Sequence, residues 1–168
     1  QGMSGTNKSI VMKALSEVDP VNYSLFIRTV NALSEDMGVL DKLDVIKALA
    51  NINSAKYTQS FVNAFNYLAP LFEDKAESKA LLIGVLGDTK ANDYDLLLRT
   101  LKGIYEARRD ISNYDKKLIL YALLKIDQSK YNSDTFINNY NELTKYVSDE
   151  NKPQALTFLC DRGFDDYK

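Results

Sequence analysis

Histidine and tryptophan are missing from all 168 residues, cysteine occurs once and proline three times. Without histidine the chain lacks the commonest general base near neutral pH, the commonest transition-metal ligand and the usual partner of a serine or cysteine nucleophile. One cysteine and no histidine cannot supply a zinc ligand set, and Cys160 has no internal disulfide partner. Its neighbours Leu156, Phe158 and Leu159 predict a thiol in the core of a helix rather than a reactive one. Long apolar runs are missing too: no stretch reaches the ~18 residues of a membrane helix, and no basic start leads into an apolar stretch with a small-residue cleavage site. The expectation is a cytoplasmic protein, or one exported without a conventional leader, with no membrane span and no cofactor. Gln1-Gly2 reads as the remnant of a cleavable tag ahead of Met3.

Charge of one sign is also scarce. Lysine and arginine total 21 against 23 aspartate and glutamate, giving −2 overall and a pI near 5.2. A protein that binds by neutralising many phosphates needs the opposite balance, so nucleic acid is not the expected partner. No phosphate loop or dinucleotide fingerprint is present; Gly84-Val85-Leu86-Gly87 falls in a helical pattern and lacks the lysine and the preceding strand. Arg108-Arg109 is flanked by Glu106 and Asp110, and the pairs Asp149-Glu150 and Asp165-Asp166 lack supporting ligands, so neither a phosphate site nor a metal site is expected there.

What the chain has is one helix written repeatedly. Ser9–Asp19, Leu43–Asn53, Lys79–Thr89, Lys116–Asp127 and, more loosely, Pro153–Gly163 align so that Met12, Ile46, Leu82, Leu120 and Leu156 share one position. Leu15, Leu49, Val85, Leu123 and Leu159 share another, with a small residue between the two at Ala14, Ala48, Gly84 and Ala122. Between these stretches stand other helical patterns, about 21–33, 57–72, 94–107 and 133–147, with apolar stripes such as Phe26, Ile27, Val30, Leu33 and Phe136, Ile137, Tyr140, Leu143. Pro20 ends the first helix, Pro70 ends or kinks the pattern that contains it, and Pro153 suits a first helical turn.

Within the first helices the aligned stretches FIRTV, FVNAF, LLRTL and FINNY start at Phe26, Phe61, Leu97 and Phe136, which stand 35, 36 and 39 residues apart. Tyr23, Tyr57, Tyr94 and Tyr131 stand 34, 37 and 37 apart and read as repeated packing residues. Two position sets with a common period predict stacked helical hairpins. The expected fold is all-α: a right-handed α-solenoid of about four hairpins plus a leading helix, as a single domain over 7–164. Residues 1–6 are then a tag remnant and flexible start, and 165–168 a tail. One hairpin buries too little alone, and each neighbour covers its apolar face.

Over about Lys8 to Phe164 this period and apolar placement resemble the HEAT and armadillo families of α-solenoids, with Pro70 answering to the first-helix proline of HEAT units. The resemblance implies a concave binding face built from the second helices. On them Val11, Met12, Leu15 and Val18, with their equivalents, are expected to face the core, which turns Lys13, Lys47, Ile83, Tyr121 and Thr157 outward as a row. Asn51, Lys79, Lys117 and Lys125 stand at nearby outward positions. These residues form the candidate site: a lysine-leaning groove with an apolar middle, with Tyr121 as anchor, for a protein or peptide of acidic or mixed charge. The expected function is a non-catalytic scaffold or adaptor. The alternatives are a virus- or pathogen-encoded effector bound to a host protein, and a nucleic-acid-binding helical repeat.

Overall fold

The computed structural model describes residues 4–72, 75–88, 93–107, 111–128, 134–148, 151–152, 154–155 and 158. These residues form an all-α structure of eight helices: α1 (Gly5–Glu17), α2 (Tyr23–Leu33), α3 (Val39–Ala50), α4 (Gln59–Leu68), α5 (Ala76–Gly87), α6 (Tyr94–Glu106), α7 (Asn113–Leu124) and α8 (Asp134–Thr144). No strand occurs among the described residues. The chain divides into two compact units, Gln1–Asp88 and Thr89–Lys168. Tyr131, Arg108-Arg109 and Asp149-Glu150 lie outside the described residues, as do Pro153, Leu156, Thr157, Leu159 and Cys160 of the last repeat stretch, and the tail.

Side-chain caps open α1, α4, α6 and α7. Ser4, Thr58, Asp93 and Ser112 each accept a backbone N–H three residues on, at 3.3, 3.2, 2.9 and 3.1 Å, and so satisfy donors that have no partner inside the helix. Asp19 and Asn53 accept the N–H two residues on, from Val21 and Ala55, and open short 3-10 turns, Pro20–Asn22 and Ser54–Lys56, which deliver the chain into α2 and α4. Pro70 ends α4 early, as its missing N–H requires, and Ala69–Leu71 tightens into a third 3-10 turn.

In the first unit α3 packs between α1 and α5, while α2 packs on both α3 and α4, and α4 on α5. The core so enclosed contains Phe26, Leu33, Val45, Leu49, Phe61, Phe65, Leu68, Leu82 and Leu86. In the second unit α6 packs on α7 and α8, around Leu97, Leu101, Ile104, Ile119, Leu120, Leu123, Phe136 and Tyr140.

A tyrosine ties α1 to the start of α2 and another ties α3 to the turn that leads into α4. Tyr23 Oη donates to Leu15 O at 3.1 Å, and Tyr57 Oη donates to Leu49 O at 2.8 Å, in both cases eight residues upstream. The acceptors are carbonyls near the ends of α1 and α3, where intrahelical donors run out. Burial of the Tyr57 phenol pushes its pKa up to about 12, and burial raises that of Tyr94 further.

Five expected core positions are corrected. Met12 is 68% exposed: it shares a flank of α1 with Ser9 and Ser16, both exposed, and no helix of the unit covers that flank. Ile27 is exposed on α2 for want of a covering helix. Leu143 is exposed, and Thr144 is buried in its place because its hydroxyl bonds Tyr140 O at 2.6 Å. In α5 Leu81 faces solvent and Val85 is only half-buried, whereas Leu82, Ile83 and Leu86 are buried. Burial therefore equates Val45, Leu82 and Ile119, and likewise Leu49, Leu86 and Leu123, all 37 residues apart. The expected alignment is one residue out at α5, and Gly84 rather than Ile83 is the counterpart of Lys47.

Candidate interface on the second helices

The outward row of second-helix residues divides between the two units. In the first unit α1 and α3 run side by side and leave a groove of about 490 Å³ between them. Its floor is made of Ala14 and Ala50, two small buried side chains that let the helices approach closely. Ile10 adds an apolar wall, and Lys13, Glu17, Lys47 and Asn51 form the polar edge. Of the candidate site residues, Lys13, Lys47 and Asn51 line this one groove. Ile10, Ala14, Glu17 and Ala50 complete the groove and are not among the predicted site residues. The spacing of Ile10, Ala14 and Glu17 along α1 is the signal that would have found them.

The groove's electrostatics differ from a lysine-rich strip. Lys47 Nζ lies 3.0 Å from Asp44 Oδ1, one turn along α3, and Glu17 lines the groove together with Lys13, so carboxylates accompany both cations. An exposed pair of this kind contributes at most about 1 kcal/mol and leaves both groups available to a ligand.

Ile83 does not belong to this surface. It is 0% exposed, because the one-residue rotation of α5 puts it in the core and turns Gly84 outward. A Cβ built on Gly84 meets nothing within 4 Å, so the position opposite Lys47 in the repeat is bare backbone. Lys79, half-buried on α5, lines a different cavity beside the α2–α3 turn.

Tyr121, Lys117 and Lys125 belong to the second unit. Tyr121 and Lys117 are half-buried on α7, and Lys125 is exposed at its end, where its N–H bonds Ala122 O at 3.2 Å. Nearby, Tyr105 Oη donates to Lys116 O at 2.7 Å while the Lys116 ammonium lies 5.7 Å from the Tyr105 ring centre, which fastens α7 to α6. Among the described residues no group of three or more cysteine, aspartate or glutamate side chains is placed to hold a metal ion, and no helix is long and apolar enough to cross a membrane. No family model, curated protein or solved structure matches the chain.

Proposed function

We propose that the chain is a non-catalytic protein-interaction module, a small HEAT- or armadillo-like α-solenoid acting as scaffold or adaptor, which holds a peptide or protein surface on its second helices. The observation that carries the reading is the α1–α3 groove, where Lys13, Lys47 and Asn51 surround a floor of Ala14 and Ala50. An apolar trough with polar edges is the form in which helix pairs accept a ligand's side chain while fixing its direction. The recurring tyrosine contact and the packing of α1, α3 and α5 in succession support the repeat architecture.

The test is selection of peptides from a displayed library on the immobilised protein, followed by calorimetric titration. Two variants report on the groove: Lys13→Glu with Lys47→Glu, which reverses its cations, and Asn51→Trp, which fills it from an exposed position. Selected peptides are expected to lose roughly tenfold or more in affinity to each variant, the equivalent of about 1.4 kcal/mol. Binders that hold both variants with unchanged Kd, or a selection that returns no saturable binder, would overturn the assignment.

A further inference from the structure

The outward side of α5 carries Glu77, Leu81, Gly84 and Asp88, spaced four, three and four residues apart and so in line along the helix. Gly84 needs a reason, because glycine loses more backbone freedom in a helix interior than any other residue. Gly87, in the same helix, has one within the fold: a Cβ there would lie 2.6 Å from Ile52 Cβ, so its absence lets α5 approach the end of α3. A Cβ on Gly84 meets nothing within 4 Å, and neither a turn nor a left-handed backbone calls for glycine in the middle of α5. Bare main chain therefore stands one turn from Leu81, which is 57% exposed, on a helix whose other side already fills the core with Leu82, Ile83 and Leu86. Glu77 and Asp88, both exposed, bound the stripe at its two ends, and neither makes an ion pair among the described residues.

We propose that this stripe docks an amphipathic helix of a partner protein, lying along α5 with a small residue over Gly84, apolar side chains against Leu81, and lysines or arginines reaching Glu77 and Asp88. The form of the occupant follows from hydrogen bonding. The backbone of α5 is bonded within its own helix and offers no edge, so an extended segment laid on it would leave its own N–H and C=O groups against an apolar surface without partners. A helix arrives with those groups already bonded, and the spacing of four, three and four is that of the ridges a second helix fits. Gly84 lets the two main chains come close, which uses the one feature of α5 that the fold does not. The charge of the occupant follows from the unpaired carboxylates, which attract cationic ends and repel acidic ones. A second copy of this chain is disfavoured for the same reason, since a two-fold crossing at Gly84 sets carboxylate end against carboxylate end. The stripe shares no residue with the α1–α3 groove, so the two surfaces succeed or fail separately.

The probe is a fluorescein-labelled helical peptide of alanine and leucine with paired lysines at both ends, followed by fluorescence anisotropy on the whole chain. One control peptide has glutamates at its ends, and another has a central proline that breaks its helix. Gly84→Leu blocks the close approach and Leu81→Gln removes the apolar contact; both keep the charge of the chain, so attraction without a seat is left unchanged by them. Saturable binding of the lysine-ended helix, weakened roughly tenfold by each variant and by each change to the peptide, is the expected result. An affinity unchanged in either variant, equal binding of either control peptide, or no saturable binding would each overturn the proposal. So would a dimer of the chain itself, seen by sedimentation and lost in Gly84→Leu, which would give the stripe to a second copy. Both positions are free of core contacts, so melting no lower than that of the wild type is expected and separates lost binding from lost folding.

Discussion

Tyr57, which bonds the end of α3 from the turn ahead of α4, allows the strongest quantitative prediction. Tyr57 is 2% exposed, its ring stands 5.8 Å from that of Phe26 at an interplanar angle of 52°, and its hydroxyl donates to Leu49 O at 2.8 Å with Ile52 O 3.4 Å away. Replacing it by phenylalanine removes the hydroxyl alone. Leu49 O still accepts the Ile52 N–H at 3.2 Å, so no carbonyl is left without a donor. The cost is then that of one net hydrogen bond, about 1 kcal/mol, rather than that of an orphaned buried group. Tyr57→Ala removes the ring as well, leaves a cavity against Phe26, and is expected to cost about 3–5 kcal/mol. Tyr23→Phe, at a half-buried site with a 3.1 Å bond, is expected to cost less than Tyr57→Phe. Urea unfolding followed by circular dichroism, with the slope unchanged between variants, measures all three. The reasoning fails if Tyr57→Phe costs as much as Tyr57→Ala, or if Tyr23→Phe costs more than Tyr57→Phe.

Three further outcomes follow from the same packing. Because burial raises the Tyr57 phenol from 10.0 to about 12, the unfolded chain ionises first; stability is fully present below about pH 10 and declines as pH rises towards 12. Urea midpoints across that range should fall less steeply for Tyr57→Phe than for wild type. Gly84→Ala, whose new methyl meets nothing, should stabilise by about 0.5–1 kcal/mol, whereas Gly87→Ala sets its Cβ 2.6 Å from Ile52 Cβ and should destabilise by about 1–3 kcal/mol; thermal melts separate the two signs. Ile83→Asp should cost about 3–5 kcal/mol, while Lys47→Asp at the expected matching position should change stability by less than about 1 kcal/mol, read from the same urea curves.

The helices themselves were legible because their boundaries are chemical: Asp19-Pro20, Pro70, and the serine, threonine and aspartate caps act locally and need no knowledge of the partner helix. The face each helix buries was legible in α4 and α6, and in α2 apart from Ile27, where polar residues flank the apolar stripe. It was not legible in α5. From Leu81 to Leu86 that helix has no polar residue, only Leu, Leu, Ile, Gly, Val and Leu, so nothing in its own sequence sets the rotation. Neither cavity was legible as a whole, since each is assembled from elements that are distant in sequence and depends on the angle at which they pack.

The missing phase was nevertheless written in the chain, in the tyrosines. Tyr23 and Tyr57 each bond a carbonyl eight residues upstream, Leu15 and Leu49, and those two leucines are equivalent in the repeat. Eight residues before Tyr94 stands Leu86, not Val85, and Leu86 is the buried one. The spacing from Tyr57 to Tyr94, 37 residues, is also the spacing of the buried pairs Val45 to Leu82 and Leu49 to Leu86. The first helices step by 36 over the same interval, from Phe61 to Leu97 and from Phe65 to Leu101. A second helix and the tyrosine after it therefore keep one register while the first helices keep another. Aligning α5 by its apolar stripe turned Ile83 outward and hid Gly84, whereas the 37-residue spacing of the tyrosines gives the rotation that burial shows.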